Sequence, residues 1–158
     1  MQNSKLLFLA SSYFCTCFKI GNSKYMPGTL GSIVGLALGI IIKLFFSVKF
    51  YITLVFLLII IAILAINYYQ KKMGKYDRSE IIIDEIIGQQ IPLILFDITY
   101  INIFLSFIFF RFFDILKIFP ASYVDKNYSN SLGIIFDDII AGFQASLIIF
   151  LIAWMLIK

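Results

Sequence analysis

The fold is decided by the stretch from Glu80 to Phe119, which reads EIIIDEIIGQQIPLILF, then DITYIN, then IFLSFIFFRFFDILKIF. Two long apolar runs flank a short polar one, and each apolar run carries charged side chains. The whole chain has nine acidic residues, and none of them precedes Asp77. A charge at membrane depth costs several kcal/mol, so such residues usually face one another, water or a metal ion. This stretch therefore predicts a polar site assembled between membrane helices.

The polar centre of the stretch, Asp97–Asn102, is typical of a turn. We predict a helical hairpin with one helix from Ser79 to Phe96 and a second from Ile103 to Phe119. At 1.5 Å per residue, Asp84 lies about 18 Å before the turn, and the basic residues of the second helix lie about 13 to 22 Å after it. Antiparallel helices would thus bring acidic and basic groups to a similar depth.

The composition identifies the class of protein. The chain is 61% hydrophobic and only 14% charged, which is too apolar for a soluble domain of this length. We expect one integral-membrane domain over residues 1–158. The net charge of +4 comes mostly from lysines that flank apolar runs, which suits membrane topology better than nucleic acid, so a nucleic-acid partner is not expected.

The remaining segments predict an all-α polytopic bundle of four to five spans, including the hairpin around residues 97–102. A short, weakly amphipathic segment covers 6–20, and apolar runs of nearly spanning length cover 30–46 and 50–66. A polar loop, PASYVDKNYSNS, leads to a last helix over 132–157. The lysines of the N-terminus and of the loop after Ile66 place both on the cytoplasmic side. Cys15 and Cys17 are too close in sequence for a good disulfide and too few for a zinc site.

Helical spacing groups the charged residues. Arg111, Asp114 and Lys117 are three apart and share a helix face. Asp84 precedes Gly88 by four positions, as Asp138 precedes Gly142, so that a glycine permits close helix approach beside each acid. Buried ion pairs that fix helix register would explain a single acid–base pair. Here six carboxylates face only two nearby cations, an excess that favours a divalent metal. Oxygen ligands without histidine indicate magnesium or manganese over zinc.

Four motifs occur in the order found in the phosphatidylglycerophosphatase A family, which this chain resembles over nearly its whole length. They are PGTLGS (27–32), SEIIIDEIIGQ (79–89), FRFFDILKIFP (110–120) and LGIIFDDIIAG (132–142). The resemblance implies a magnesium-dependent membrane phosphatase that converts phosphatidylglycerophosphate to phosphatidylglycerol at the bacterial inner membrane. Five spans and a cytoplasmic N-terminus place its charged clusters, and hence the active site, toward the cytoplasm. Its acidic motif corresponds to Glu80, Asp84 and Glu85, its basic motif to Arg111, Asp114 and Lys117, and its paired aspartates to Asp137 and Asp138.

The chain departs from the family pattern at two places. Ile118 and Phe119 separate Lys117 from Pro120, where the family commonly has proline directly after the lysine. Asn130–Gly133 replaces a His-Gly-Gly stretch, and the chain contains no histidine. A histidine therefore has no role in catalysis here.

These assignments give each residue an expected role. The candidate catalytic residues are Asp84, Glu85, Asp114, Asp137 and Asp138. The candidate Mg²⁺ ligands are Glu80, Asp84, Glu85, Asp137 and Asp138. Arg111 suits bidentate phosphate binding and Lys117 a point-charge contact. Gly28, Thr29 and Gly31 are expected to offer backbone N–H groups to phosphate at a helix N-terminus, although an ordinary capped helix start would have the same sequence.

Other classes of membrane protein remain open at this point. A small ion-coupled transporter also places acids and cations in a bundle, but no internal repeat is visible. A CDP-alcohol phosphotransferase would use intramembrane aspartates, yet its D-G-x-x-A-R stretch is missing. A structural subunit would not need so many unpaired acids. The expected partners are the lipid substrate and the bilayer, and the oligomeric state, including a homo-oligomer, stays open.

Overall fold

A computed structural model describes residues 2–74 and 79–157, and over these residues the regular structure is entirely helical. This confirms the predicted all-α class. The helices are α1 (Gln2–Cys15), α2 (Pro27–Phe45), α3 (Val48–Met73), α4 (Ile83–Gly88), α5 (Gln90–Leu95), α6 (Tyr100–Leu116), α7 (Ala121–Asn127) and α8 (Ser131–Ile157), with a 3₁₀ turn at Ile20–Asn22.

Three of the helices are long and apolar enough to cross a membrane, namely Pro27–Phe45, Val48–Met73 and Ser131–Leu156. The predicted four to five spans agree with this only approximately, because the hairpin is built from shorter pieces. Large apolar side chains are exposed along all three helices. In a bilayer these side chains face lipid, where their exposure carries no hydrophobic penalty.

The prediction of one continuous helix from Ser79 to Phe96 is wrong. In the structure the helical segment begins at Ile83 and is divided at Gln89 into α4 and α5. Pro92 has no N–H to donate to the carbonyl of Gly88, four residues earlier, which weakens the helix at this point. Ahead of α4, the backbone N–H of Ile82 donates to the carbonyl of Cys15 at 3.0 Å, so the chain is tied to α1 before the helix starts.

The hairpin itself is confirmed. α5 ends at Leu95, and α6 begins at Tyr100 with the Thr99 side chain accepting a hydrogen bond from the Asn102 N–H at 3.1 Å. The second helix thus starts earlier than predicted and ends at Leu116. Lys43 of α2 donates to the carbonyls of Leu93 (2.8 Å), Ile94 (3.3 Å) and Phe96, which satisfies the free carbonyls at the end of α5.

Two further boundaries differ from the prediction. The polar stretch after Ile66 is partly helical, because α3 continues to Met73 and is capped by Gly74 in the left-handed conformation. Residues 75–78 lie outside the described residues. The stretch predicted as a polar loop before the last helix contains α7. Neither segment is apolar, so hydropathy gave no signal of a helix there.

Glycines permit the closest helix contacts, as predicted for Gly88 and Gly142. A Cβ added to Gly142 would lie 2.5 Å from the Gly88 carbonyl oxygen, and one added to Gly88 would lie 2.7 Å from the Asp138 carbonyl oxygen. On the other side of α4, a Cβ at Gly35 of α2 would lie 3.0 Å from Ile86 Cα. The short α4 is therefore held between α2 and α8, which places its acidic residues between two membrane helices.

Candidate active site

A cavity of about 530 Å³ opens at one end of the bundle, where α2, α4 and α8 begin, α6 ends and α7 crosses. Its lining includes most of the charged residues singled out from the sequence. The lining residues that carry charge are Asp84, Glu85, Arg111, Asp114, Lys117, Asp125 and Asp137. The start of α2 contributes Pro27, Gly28 and Thr29. Segments far apart in the sequence thus form one polar site at the end of the helices.

Three carboxylates, which we call the acidic triad, lie together here; Asp84 and Glu85 line the cavity, and Asp138 is buried beside them. One oxygen from each of Asp84, Glu85 and Asp138 lies within 4.8 Å of the others. Two carboxylate oxygens of the triad residues, Glu85 Oε2 and Asp138 Oδ2, are buried without a hydrogen-bond partner among the described residues. Buried anionic oxygens without partners are costly, so these two oxygens require a partner that the described residues do not supply.

The triad fits a divalent cation by chemistry and by spacing. Mg²⁺ prefers carboxylate oxygens at about 2.1 Å, so ligands on opposite sides of the ion are about 4.2 Å apart. The three triad oxygens lie within 4.8 Å of one another, so small side-chain movements would bring them to this spacing. A cation here would also satisfy the two orphaned oxygens.

Arg111 of α6 and Lys117, the residue that follows this helix, pair with acids of the site. Arg111 pairs with Asp114, which confirms that residues three apart share a face. Lys117 pairs with Asp137, and its Nζ lies 3.3 Å from Asp114 Oδ1 and 3.5 Å from Asp138 Oδ1. Burial by itself would lower the pKa of Lys117, but these three carboxylates raise it above its ordinary value. Lys117 therefore stays protonated at neutral pH.

Gly28 separates Glu85 from Arg111. A Cβ added at this position would lie 2.3 Å from Glu85 Oε1 and 3.2 Å from both Nη1 and Nη2 of Arg111. The hydrogen atom of glycine thus leaves open the space between an acid of the triad and a guanidinium group. One turn further along α2, Ser32 Oγ accepts a hydrogen bond from Arg111 Nη1 at 3.3 Å. The first turns of α2 therefore orient Arg111 and line the site.

The remaining predicted residues lie at different places. Glu80 does not line the cavity, and its Oε1 accepts a hydrogen bond from the Tyr69 hydroxyl at 3.1 Å. Gly31 faces Ile82, whose Cβ and carbonyl oxygen would each lie 3.0 Å from an added Cβ. Asp137 lines the cavity but is outside the triad. The roles of Glu80 and Asp137 as metal ligands and of Gly31 in phosphate binding stay predictions.

Two residues of the site were not predicted from the sequence. Ser32 belongs to the PGTLGS motif, and its spacing of four from Gly28 was a signal that it would face the same side of α2. Asp125 lies on α7 and lines the cavity, but its sequence context is an ordinary polar stretch. No local pattern distinguishes it from a solvent-exposed acid.

Comparison with known proteins confirms the family that the four motifs indicate. The family model of phosphatidylglycerophosphatase A matches residues 13–153, which is most of the chain. The chain belongs to this family. Because the family consists of phosphatases, the chain is a phosphoric monoester hydrolase.

Three curated relatives cover most of the chain. Phosphatidylglycerophosphatase A of Haemophilus influenzae is 36% identical over 132 residues, covering 82% of this chain and 81% of the relative. The Escherichia coli K12 protein of the same name is 31% identical over 136 residues (85% and 78%). A putative phosphatidylinositol-3-phosphatase of Bacteroides thetaiotaomicron is 31% identical over 150 residues (89% and 92%). No solved structure matches the chain.

The cysteines do not supply a nucleophile to this phosphatidylglycerophosphatase A family member. Burial raises the pKa of Cys15 to about 12, so its reactive thiolate is not formed at neutral pH. Neither Cys15 nor Cys17 lines the cavity. The cavity lining instead offers carboxylates, one arginine, one lysine, the hydroxyl groups of Thr29 and Ser79, and the backbone.

Proposed function

We propose that this chain hydrolyses the terminal phosphate monoester of phosphatidylglycerophosphate to phosphatidylglycerol and inorganic phosphate, in a magnesium-dependent reaction. The observation that carries the proposal is the acidic triad, in which two buried oxygens lack a hydrogen-bond partner among the described residues. Gly28 separates Glu85 of this triad from Arg111. An anionic triad alone would repel a phosphate, and an arginine alone would not activate one. Side by side, they suit a phosphate bound together with a divalent cation.

Asp84, Glu85 and Asp138 would hold the cation. When bound, Mg²⁺ supplies Lewis-acid polarisation of the phosphoryl group. The Arg111 guanidinium can donate two parallel hydrogen bonds to phosphoryl oxygens. Its position is fixed by Asp114 and Ser32, so little reorganisation is needed when charge develops on those oxygens.

The start of α2 would contribute to the same binding site. Gly28 and Thr29 lie in its first turn, where backbone N–H groups have no partner within the helix. These groups and the helix dipole favour an anion at this end. Lys117 holds Asp137 and, with Arg111, compensates part of the negative charge of the site.

Phosphate release measured in mixed micelles tests the proposal. We expect phosphatidylglycerophosphate to be hydrolysed with Mg²⁺ and not after EDTA treatment, with activity restored by added Mg²⁺. A matched control is Asp97→Asn, because Asp97 lies in the hairpin turn at the opposite end of α6. This variant should keep wild-type activity, whereas Asp84→Asn should lose it. Equal activity with and without Mg²⁺ would contradict the metal assignment.

A second substrate class has support from the Bacteroides relative, which is named for a phosphatidylinositol phosphate. Its match covers 92% of that relative, so the same site could accept an inositol headgroup. The phosphate-release assay should therefore include phosphatidylinositol 3-phosphate beside phosphatidylglycerophosphate. The ratio of the two kcat/KM values assigns the physiological class. If no phospholipid releases phosphate and reconstituted vesicles show ion uptake, the transporter hypothesis replaces the proposal.

We further propose that the site faces the cytoplasm at the inner membrane of a bacterium. The lysines at the end of α3 support this side by the positive-inside rule. In a background without Cys15 and Cys17, single cysteines at Lys72, Asn127 and Thr99 can be labelled with an impermeant reagent. Lys72→Cys and Asn127→Cys should react from the cytoplasmic side and Thr99→Cys from the opposite side. Labelling of Lys72→Cys and Thr99→Cys from the same side would refute this topology.

A further inference from the structure

Asp125 is an acidic residue of the cavity to which neither metal binding nor an ion pair assigns a role. The acidic residues that line the cavity are Asp84, Glu85, Asp114, Asp125 and Asp137. The first two belong to the acidic triad, and Asp114 and Asp137 are paired with Arg111 and Lys117. Asp125 is not part of the triad, and no ion pair involves it within residues 2–74 and 79–157.

Asp125 lies where the polar cavity meets the apolar surface of the protein. It is exposed on α7, whose Ala121 is buried. The preceding residue, Val124, lines an apolar groove of about 270 Å³ with Tyr128 and the α8 residue Phe136. α7 therefore separates the charged site from a surface suited to lipid. If the phosphate of a lipid lies in the cavity and its acyl chains lie in the bilayer, the headgroup between them has to lie beside α7.

The charge of Asp125 restricts what it can contact. A phosphate group would be repelled by a carboxylate that has no cation beside it. A carboxylate accepts hydrogen bonds, so its suitable partner in a lipid headgroup is a hydrogen-bond donor. In the glycerol headgroup of phosphatidylglycerophosphate that donor is a hydroxyl group, and hydrogen bonds from hydroxyl to carboxylate are short and strong.

We propose that Asp125 binds a hydroxyl of the lipid headgroup and thereby selects phosphorylated polyol headgroups over headgroups that lack a hydroxyl. This inference rests on the proposed function, because it assumes that the phosphate is bound at Arg111 and the triad. It adds a specificity residue to the site, and it names the feature of the substrate that Asp125 recognises. Asp125 takes no part in breaking the P–O bond.

A pair of substrates isolates this contact. One is phosphatidylglycerophosphate, and the other is the same lipid with 1,3-propanediol in place of the headgroup glycerol, so that only the central hydroxyl is missing. Initial rates of phosphate release give kcat/KM for both lipids with the wild type, Asp125→Ala, Asp125→Asn and the control Lys126→Gln. Lys126 is the exposed neighbour of Asp125 on α7 and does not line the cavity.

The wild type should prefer the hydroxyl-bearing lipid by about tenfold in kcat/KM, the effect of one hydrogen bond to a charged group at an exposed position. Asp125→Ala should remove the preference by lowering kcat/KM for the glycerol lipid alone. Asp125→Asn should keep part of the preference because its amide oxygen still accepts, and Lys126→Gln should keep all of it.

Three results would overturn the inference. They are a wild type that does not distinguish the two lipids, an Asp125→Ala variant that loses activity equally on both, and an Asp125→Ala variant that keeps the full preference. The first of these needs no variant, so it applies even if a substitution impairs folding. Failure of the proposed function gives a different result, because the wild type would then release phosphate from neither lipid.

Discussion

Substitution of Gly28 by alanine tests the geometry of the site with a single methyl group. The added Cβ would lie 2.3 Å from Glu85 Oε1 and 3.2 Å from both terminal nitrogens of Arg111. Ordinary contacts begin at 3.4 Å, so the Glu85 carboxylate has to move by about 1 Å, and a misplacement of that size can reduce catalysis about 100-fold. We therefore expect kcat/KM for Gly28→Ala to fall about 100-fold.

The same substitution should not destabilise the fold. The atoms nearest to the added methyl group are the ends of two flexible side chains, which can move without disturbing the backbone. Gly28 lies in the first turn of α2, where alanine is the better helix former by up to about 1 kcal/mol. Thermal unfolding in detergent should thus show a melting temperature equal to or slightly above that of the wild type.

Gly31→Ala is the matched comparison on the same helix. Its added methyl group would lie 3.0 Å from the carbonyl oxygen and Cβ of Ile82, which can yield only if α4 moves away from α2. Its main effect should be a lower melting temperature. Wild-type kcat/KM for Gly28→Ala would refute the proposal that Gly28 keeps open the space between Glu85 and Arg111.

Three further predictions concern the metal, the phosphate ligand and the hairpin. Asp84→Asn and Asp138→Asn should each abolish Mg²⁺-dependent phosphate release while the protein stays folded in the membrane, and wild-type turnover in both variants would exclude the acidic triad as the metal site. Arg111→Lys should keep the charge but lose the paired donors, lowering kcat about 100-fold; if Arg111 were only the partner of Asp114, a double substitution of both to neutral residues would restore activity. Lys43→Met should lower the free energy of unfolding by about 2 kcal/mol, because three carbonyl groups at the end of α5 lose a charged donor. Its kcat should be unchanged, and an unaltered unfolding curve would show that the three hydrogen bonds do not stabilise the hairpin.

Some features of the protein follow from local sequence and were predicted for that reason. The length and apolarity of a segment determine whether it forms a membrane helix, and neither depends on the rest of the fold. The turn at Asp97–Asn102 is a local polar break, so the hairpin could be placed from it. The spacing of Arg111, Asp114 and Lys117 determines that they share a face, and the observed ion pairs follow from it.

Other features depend on contacts between segments and were missed or wrongly placed. The division of α4 from α5 follows from the missing N–H of Pro92, and the contact of α4 with α8 depends on the close approach of Gly142 to Gly88. Glu80 precedes Asp84 by one helical turn in the sequence, but α4 starts only at Ile83. The Glu80 side chain consequently lies beside Tyr69 and outside the cavity.

By itself, the sequence determined that this protein is a helical membrane bundle with an acidic and basic site shared between its helices, because hydropathy, turn residues and helical spacing are properties of neighbouring residues. The tertiary structure alone decided which acids meet. The position of an acid relative to another helix depends on the rotation and packing distance of both helices, and these are set by glycines that contact residues far along the chain. For this reason Asp138 joins Asp84 and Glu85 while Asp137, the residue before it, pairs with Lys117. For the same reason Asp125 lines the cavity although nothing around it in the sequence marks it.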